Sequence, residues 1–228
     1  MLKLAVSDLD GTLINKDGTF SPKFRYMSEL LNLRNILFSV ASGRSYADLL
    51  KILGDVLIKK MLIIACDGGL TVYKGRALFI NEIDENTVKK CFDNFGILYE
   101  RVKTPCGKTV KIVVREQKNT DICKAYIQNN RLLSLVYDSG GILEYTGFGI
   151  NKGSALKKAL EKLGIFTDEV IAFGDGCNDK EMLKLIPKSF AVKTAPLEIK
   201  KICKFTSEDV CDTIIKIIEN GGECYERI

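Results

Sequence analysis

Histidine is absent from all 228 residues of the chain. Its absence excludes every Ser-His or Cys-His nucleophilic pair and the His-containing zinc sets. Any general acid or base must be a carboxylate, lysine, tyrosine or cysteine, and hard-metal ligands must be oxygens. Cys-x-x-Cys spacing is missing too, although there are eight cysteines: Cys66, Cys91, Cys106, Cys123, Cys177, Cys203, Cys211 and Cys224. They are expected to be free thiols filling small apolar positions, Cys177 among them. No stretch approaches the roughly 18 apolar residues of a membrane span, and Met1 leads straight into an apolar strand at Leu2 without a leader pattern. No membrane association is expected, and the chain reads as cytoplasmic. A basic block is also lacking. The net charge is +5, but pairs such as Lys89-Lys90 and Lys157-Lys158 are scattered among acidic neighbours. That pattern suits solvated helix faces and no nucleic acid, while a modest positive field attracts anionic substrates.

What is present is ordinary globular material, 46% hydrophobic and 28% charged, enough for one large domain or a medium one carrying an insert. Short apolar runs alternate with segments of helical period, which predicts an α/β fold with a doubly wound parallel sheet. Strands are expected at Leu2–Ser7, Ile36–Ala41 and Met61–Ala65, with helices at Pro22–Leu33 and Ser45–Leu53. The alternation returns with a helix at Gly153–Leu163, a strand at Val170–Phe173, a helix at Asp179–Ile186 and a strand at Ser189–Val192. Helices at Pro196–Cys203 and Val210–Asn220 close the pattern. Between about Asn81 and Gly149 the rhythm differs: helices near Asn86–Phe95 and Thr120–Asn130, and strands at Lys108–Val114, Leu133–Tyr137 and Ile142–Tyr145. The first of these strands alternates polar with apolar residues, which predicts a sheet with one solvated face. This reads as a small α+β insert.

Four polar clusters stand where strands end or helices begin. Asp8-Leu9-Asp10-Gly11-Thr12 follows the first strand, and period two places both aspartates on one side of its carboxyl end, the edge where open parallel sheets bind ligands. Two carboxylates so close need a cation between them or a retained proton, as hard-metal ligation or acid catalysis would provide. Ser42-Gly43-Arg44 offers a hydroxyl and free amides before a helix, a phosphate cradle or simply an N-cap. Lys152-Gly153 brings a cation to the start of the late helix; taken alone it is a surface lysine. Gly174-Asp175-Gly176-Cys177-Asn178-Asp179 again sets acidic groups among glycines after a strand, where a plain capped turn is the alternative. Convergence of all four on one sheet edge favours a site.

In order, these clusters resemble the four motifs of the haloacid dehalogenase-like superfamily. The runs around Asn151-Lys152-Gly153-Ser154 and Asn178-Asp179-Lys180-Glu181 resemble its Cof-type, class IIB branch. The resemblance implies a core formed by residues 1–80 and 150–228 and an inserted α+β cap of C2B type at residues 81–149. It implies a Mg²⁺-dependent phosphatase acting on a small phosphorylated metabolite such as a sugar phosphate or phosphoglycolate. Asp8 would be the nucleophile and Asp10 the acid and then the base. Ser42, Gly43, Lys152 and Asn178 would bind phosphate. Mg²⁺ would be held by Asp8, Asp10 through its backbone carbonyl, Asp175 and, through water, Asp179. A monomer or homodimer is expected.

Two departures stand out. Asp67-Gly68-Gly69 replaces the Asn-Gly-Ala common in related proteins and adds a negative charge expected near the site entrance. Lys193-Thr194-Ala195-Pro196 stands where an Asn-Ala pair is usual. Other readings are a phosphomutase on the same fold, a receiver-like phospho-aspartate domain, and a silent binder of Mg²⁺ and phosphate.

Overall fold

The computed structural model describes residues 1–15 and 17–221. Three strands open the chain, β1 (Leu4–Asp8), β2 (Leu37–Ala41) and β3 (Leu62–Ala65), followed by a hairpin of β4 (Leu70–Tyr73) and β5 (Arg76–Ile80). The next four are β6 (Tyr99–Lys103), β7 (Thr109–Arg115), β8 (Leu133–Ser139) and β9 (Ile142–Gly147), and the last three are β10 (Val170–Gly174), β11 (Lys188–Val192) and β12 (Phe205–Ser207).

The first and last groups form one eight-stranded sheet in the order β12-β11-β10-β1-β2-β3-β4-β5. From β12 to β3 every pair is parallel, and β4 and β5 add an antiparallel edge. Every residue of β1, β3 and β10 is buried, because helices cover both faces of the sheet. The strand order places β1 beside β10 at the centre, so Asp8 and Gly174 end neighbouring strands at the carboxyl edge. The fold class expected from the sequence is the one found.

The remaining strands form an antiparallel sheet in the order β6-β7-β9-β8. Its inner face packs on helices Glu85–Cys91 and Thr120–Asn129 through an apolar cluster that includes Phe92, Ile112, Ile127 and Tyr145. Val110 of β7 belongs instead to the apolar cluster of the larger sheet, so the two layers meet there.

Several expected elements shift. The first helix begins at Phe24, with Pro22 in the preceding turn. The stretch expected to be helical from Pro196 to Cys203 contains only a short helix, Leu197–Lys200, and Asn86–Phe95 divides into Glu85–Cys91 and a 3₁₀ turn at Asp93–Phe95. The hairpin β4–β5 and the strands β6 and β12 were not anticipated. Nor is the outer face of β7 simply solvated, because Lys111 is buried. Five of the seven described cysteines are buried free thiols, whereas Cys106 and Cys177 are exposed and Cys224 lies outside the described residues. Cys177 is therefore no core filler: its Sγ donates to Glu198 Oε1 at 3.1 Å. Among the described residues, no helix is long and apolar enough to cross a membrane.

Candidate active site

At the end of β1 the chain leaves the sheet immediately after Asp8, so the alternation that would align Asp10 with it is broken. Gly11 makes the turn with φ of +81°, and a Cβ there would stand 2.8 Å from Asp175 Oδ2. The two aspartates consequently have different surroundings. Asp8 is buried, while Asp10 is exposed and held by Arg44, whose Nε and Nη2 donate to Oδ2 at 2.8 Å and to Oδ1 at 2.7 Å. The expectation of one shared face is corrected to one shared rim.

Lys152 is the buried hub. It begins the helix Lys152–Leu163, where Asn151 and Ser154 form a reciprocal cap, and its side chain has no exposure. Its Nζ donates to Asp8 Oδ1 at 2.6 Å and to Asp179 Oδ1 at 2.7 Å. The other oxygen of Asp179 accepts the amides of Asp175 and Gly176 at 3.1 and 2.9 Å, and Asp175 Oδ1 accepts the Thr12 hydroxyl at 2.9 Å. Asp8, Asp175 and Asp179 each offer an oxygen, and these oxygens lie within 4.8 Å of one another.

That set suits a divalent cation by its chemistry and its charge. Burial pushes the Asp8 carboxyl up to about 8, against the pull of the Lys152 ammonium and with the added repulsion of Asp179 and Asp175. Burial also raises Asp175, opposed by the Thr12 hydrogen bond. A group raised in this way ionises at neutral pH only with a further positive charge beside it, and three clustered carboxylate oxygens are the donors that Mg²⁺ prefers. The Asp10 side chain, committed to Arg44, is outside the cluster.

Ser42 is buried, and its Oγ accepts the Arg44 amide at 3.1 Å. Its carbonyl accepts the Asp67 amide at 3.0 Å, and the Arg44 carbonyl accepts that of Cys66 at 2.9 Å, which joins the two loops. Asp67 does not stand free at the entrance. It is buried, its Oδ2 accepts Lys111 Nζ at 2.8 Å, and its Oδ1 accepts Asn178 Nδ2 at 3.0 Å. Burial works to raise its pKa, but the Lys111 and Lys152 charges and these hydrogen bonds leave it lowered.

Asp8, Lys152, Asp175 and Asp179 are thus in or around one cluster, while Asn178 and Gly43 are joined to each other through Asp67 and Lys111. The contact of Thr12 with Asp175, the grip of Arg44 on Asp10 and the burial of Lys111 against Asp67 were not anticipated. Arg44 and Thr12 lay inside the motifs already singled out, whereas Lys111 carried no local signal.

The family model for haloacid dehalogenase-like hydrolases matches residues 5–102 and 98–218. The chain belongs to that family and is an enzyme of the phosphatase type. It is 23% identical over 264 aligned positions to the 5-amino-6-(5-phospho-D-ribitylamino)uracil phosphatase YbjI of Escherichia coli K12, covering 96% of this chain and 97% of that one. It is 25% identical to the HMP-PP phosphatase of Enterobacter sp. strain 638, covering 86% and 85%. Among solved structures, BT1666 of Bacteroides thetaiotaomicron, a phosphatase of the same superfamily, shares the fold with a TM-score of 0.82 at 17% identity over 98% and 96% of the two chains. The subclass IIB sugar phosphatase BT4131 does so with a TM-score of 0.78 at 16% identity over 97% and 100%.

Proposed function

We propose that the protein hydrolyses a small phosphorylated metabolite through a phospho-aspartate on Asp8, with Mg²⁺ as cofactor. The observation that carries this reading is the buried Asp8, bound to Lys152 and grouped with Asp175 and Asp179 at the carboxyl edge of the central strands. The substrate class draws on the similar proteins named for a ribitylaminouracil phosphate, for HMP-PP and for sugar phosphates.

Asp8 Oδ attacks phosphorus as the bond from phosphorus to the leaving oxygen breaks, and Asp10 gives that oxygen its proton. Asp10 then takes a proton from the water that attacks the acyl-phosphate, and the departing carboxylate of Asp8 is restored. Ser42, the Gly43 amide, Lys152 and Asn178 bind the phosphoryl oxygens. The carboxylates of Asp8 and Asp175 and the Asp10 carbonyl would hold Mg²⁺, with Asp179 behind them. When bound, the ion supplies the positive charge that ionises Asp8 and offsets the phosphate. Residues 81–149 serve as a cap over this edge and meet the leaving group.

The test is phosphate release from a panel of phosphorylated metabolites with and without Mg²⁺, beside Asp8→Asn. Mg²⁺-dependent release that vanishes in the variant supports the reading. No release from any substrate, p-nitrophenyl phosphate included, overturns it. Isomerised sugar phosphate without free phosphate would instead identify a mutase.

A further inference from the structure

Lys111 belongs to the smaller sheet, yet its ammonium is spent mainly on the larger domain. It projects from β7 with only 2% of its side chain exposed. Its Nζ donates to the Gly43 carbonyl at 2.9 Å and to Asp67 Oδ2 at 2.8 Å, and pairs with Glu144 of β9. Those three partners match the three donors of an ammonium, so the buried cation is fully satisfied.

Its two partners in the larger domain are not scaffold groups. Gly43 lies in the loop read as the phosphate cradle, and Asp67 is the acceptor that holds the Asn178 amide. The fit is close: a Cβ on Gly43 would stand 3.0 Å from Asp67 Oδ2 and 3.3 Å from Lys111 Nζ. Without Lys111, the Asp67 carboxylate would be left buried beside a phosphate dianion and would repel it. The unusual aspartate at position 67 and the unusual buried lysine at position 111 are therefore two halves of one feature.

We propose that Lys111 is a positioning residue supplied by the cap: it fixes the Gly43 loop directly and orients Asn178 through Asp67, so the phosphate pocket is complete only when the smaller sheet is seated. This rests on the reading of Gly43 and Asn178 as phosphate ligands. A mere fastener between the sheets would contribute to stability and leave phosphate affinity alone.

The experiment compares wild type, Lys111→Met, Asp67→Asn and the double variant Asp67→Asn/Lys111→Met. Each is measured for kcat and KM of Mg²⁺-dependent p-nitrophenyl phosphate hydrolysis, for inhibition by inorganic phosphate, and for melting temperature. Lys111→Met is expected to raise both KM and the inhibition constant of phosphate by about tenfold or more, the scale seen when a supporting partner of a ligand is removed. The turnover number should fall less, because the loss is one of binding. The double variant removes the stranded carboxylate while keeping an acceptor for Asn178, and is expected to recover to within about threefold of Asp67→Asn alone. Unchanged phosphate inhibition in Lys111→Met overturns the proposal. So does a double variant that binds phosphate no better than Lys111→Met; if Lys111→Met melts early, a double variant more than about threefold weaker than Asp67→Asn overturns it instead. A wild type that releases no phosphate at all would fail the functional reading itself, whereas an active wild type indifferent to Lys111→Met fails only this inference.

Discussion

Arg44 grips Asp10 with two parallel hydrogen bonds, at 2.8 and 2.7 Å, across 34 positions of sequence. Both side chains are nearly half exposed, so the pair contributes at most about 1 kcal/mol to stability. Its consequence is orientation. The carboxyl proposed for acid and base work is held exposed at the rim, separate from the cluster of Asp8, Asp175 and Asp179.

A defect in acid catalysis depends on the leaving group. Asp10→Asn is expected to lower kcat/KM, which reports the phosphorylation step, by about 10²–10⁴-fold for sugar phosphates, whose alkoxide needs a proton, and by far less for p-nitrophenyl phosphate. Loss of the base slows the second step alike for both. Arg44→Ala should show the same dependence on a smaller scale, about tenfold, with little change in melting temperature. Equal losses of kcat/KM on both substrates would contradict the acid role given to this pair.

Burial pushes the Asp8 carboxyl up from its ordinary 3.8 to about 8. The folded state therefore holds this proton more tightly than the unfolded chain does. The resulting stabilisation is complete below pH 3.8 and is lost as pH rises through about 8. Without divalent cation, the difference in unfolding free energy between Asp8→Asn and wild type should grow in the variant's favour from pH 5 to pH 8, at up to about 1.4 kcal/mol per pH unit. Mg²⁺ should reduce that difference by stabilising the wild-type carboxylate. Denaturant titrations of both proteins at several pH values check this, and a difference that is flat with pH contradicts it.

Lys152 has no exposure and is the cation shared by the buried carboxyl groups of Asp8 and Asp179. Lys152→Met leaves both without their cation and is expected to cost about 3–5 kcal/mol. Adding Asp8→Asn to it should restore part of that loss, because the two residues are in contact and their effects are not additive. Chemical denaturation of the single and double variants measures the coupling.

The motifs and the parallel core were legible because they are local. Buried strands such as Leu62–Ala65 read as unbroken apolar runs, and Asp8 stands one residue beyond the run Leu4–Val6, after Ser7. What escaped depends on contacts made far along the chain. Leu70–Tyr73 and Arg76–Ile80 pair around Lys74-Gly75, a turn with both residues at positive φ, but Lys-Gly lacks the composition that marks such turns. Lys111 sits in an alternating strand whose pattern says that the polar face meets water. Only the packing of that face against Asp67, 44 residues earlier, buries it. The charge at Asp67 was noticed, but its counter-ion had no sequence signature.

Gly11 adopts φ of +81° with Asp175 Oδ2 2.8 Å from where a Cβ would be. Gly11→Ala is therefore expected to cost about 1–2 kcal/mol in backbone strain. It should also push Asp175 aside, raising the Mg²⁺ concentration for half-maximal activity by about tenfold. A Mg²⁺ titration of phosphate release reads that shift, and an unchanged midpoint would contradict the placement of Asp175 among the metal ligands.

The central claim is that phosphate passes through a covalent bond to Asp8. Rapid quenching during turnover into borohydride, which reduces an acyl-phosphate to an alcohol, followed by peptide mass spectrometry, tests it most directly. The account predicts homoserine at position 8, dependent on Mg²⁺ and substrate and absent in Asp8→Asn. Reduction at another carboxylate would contradict it, as would unmodified Asp8 in an enzyme that is turning over with its second step slowed by Asp10→Asn.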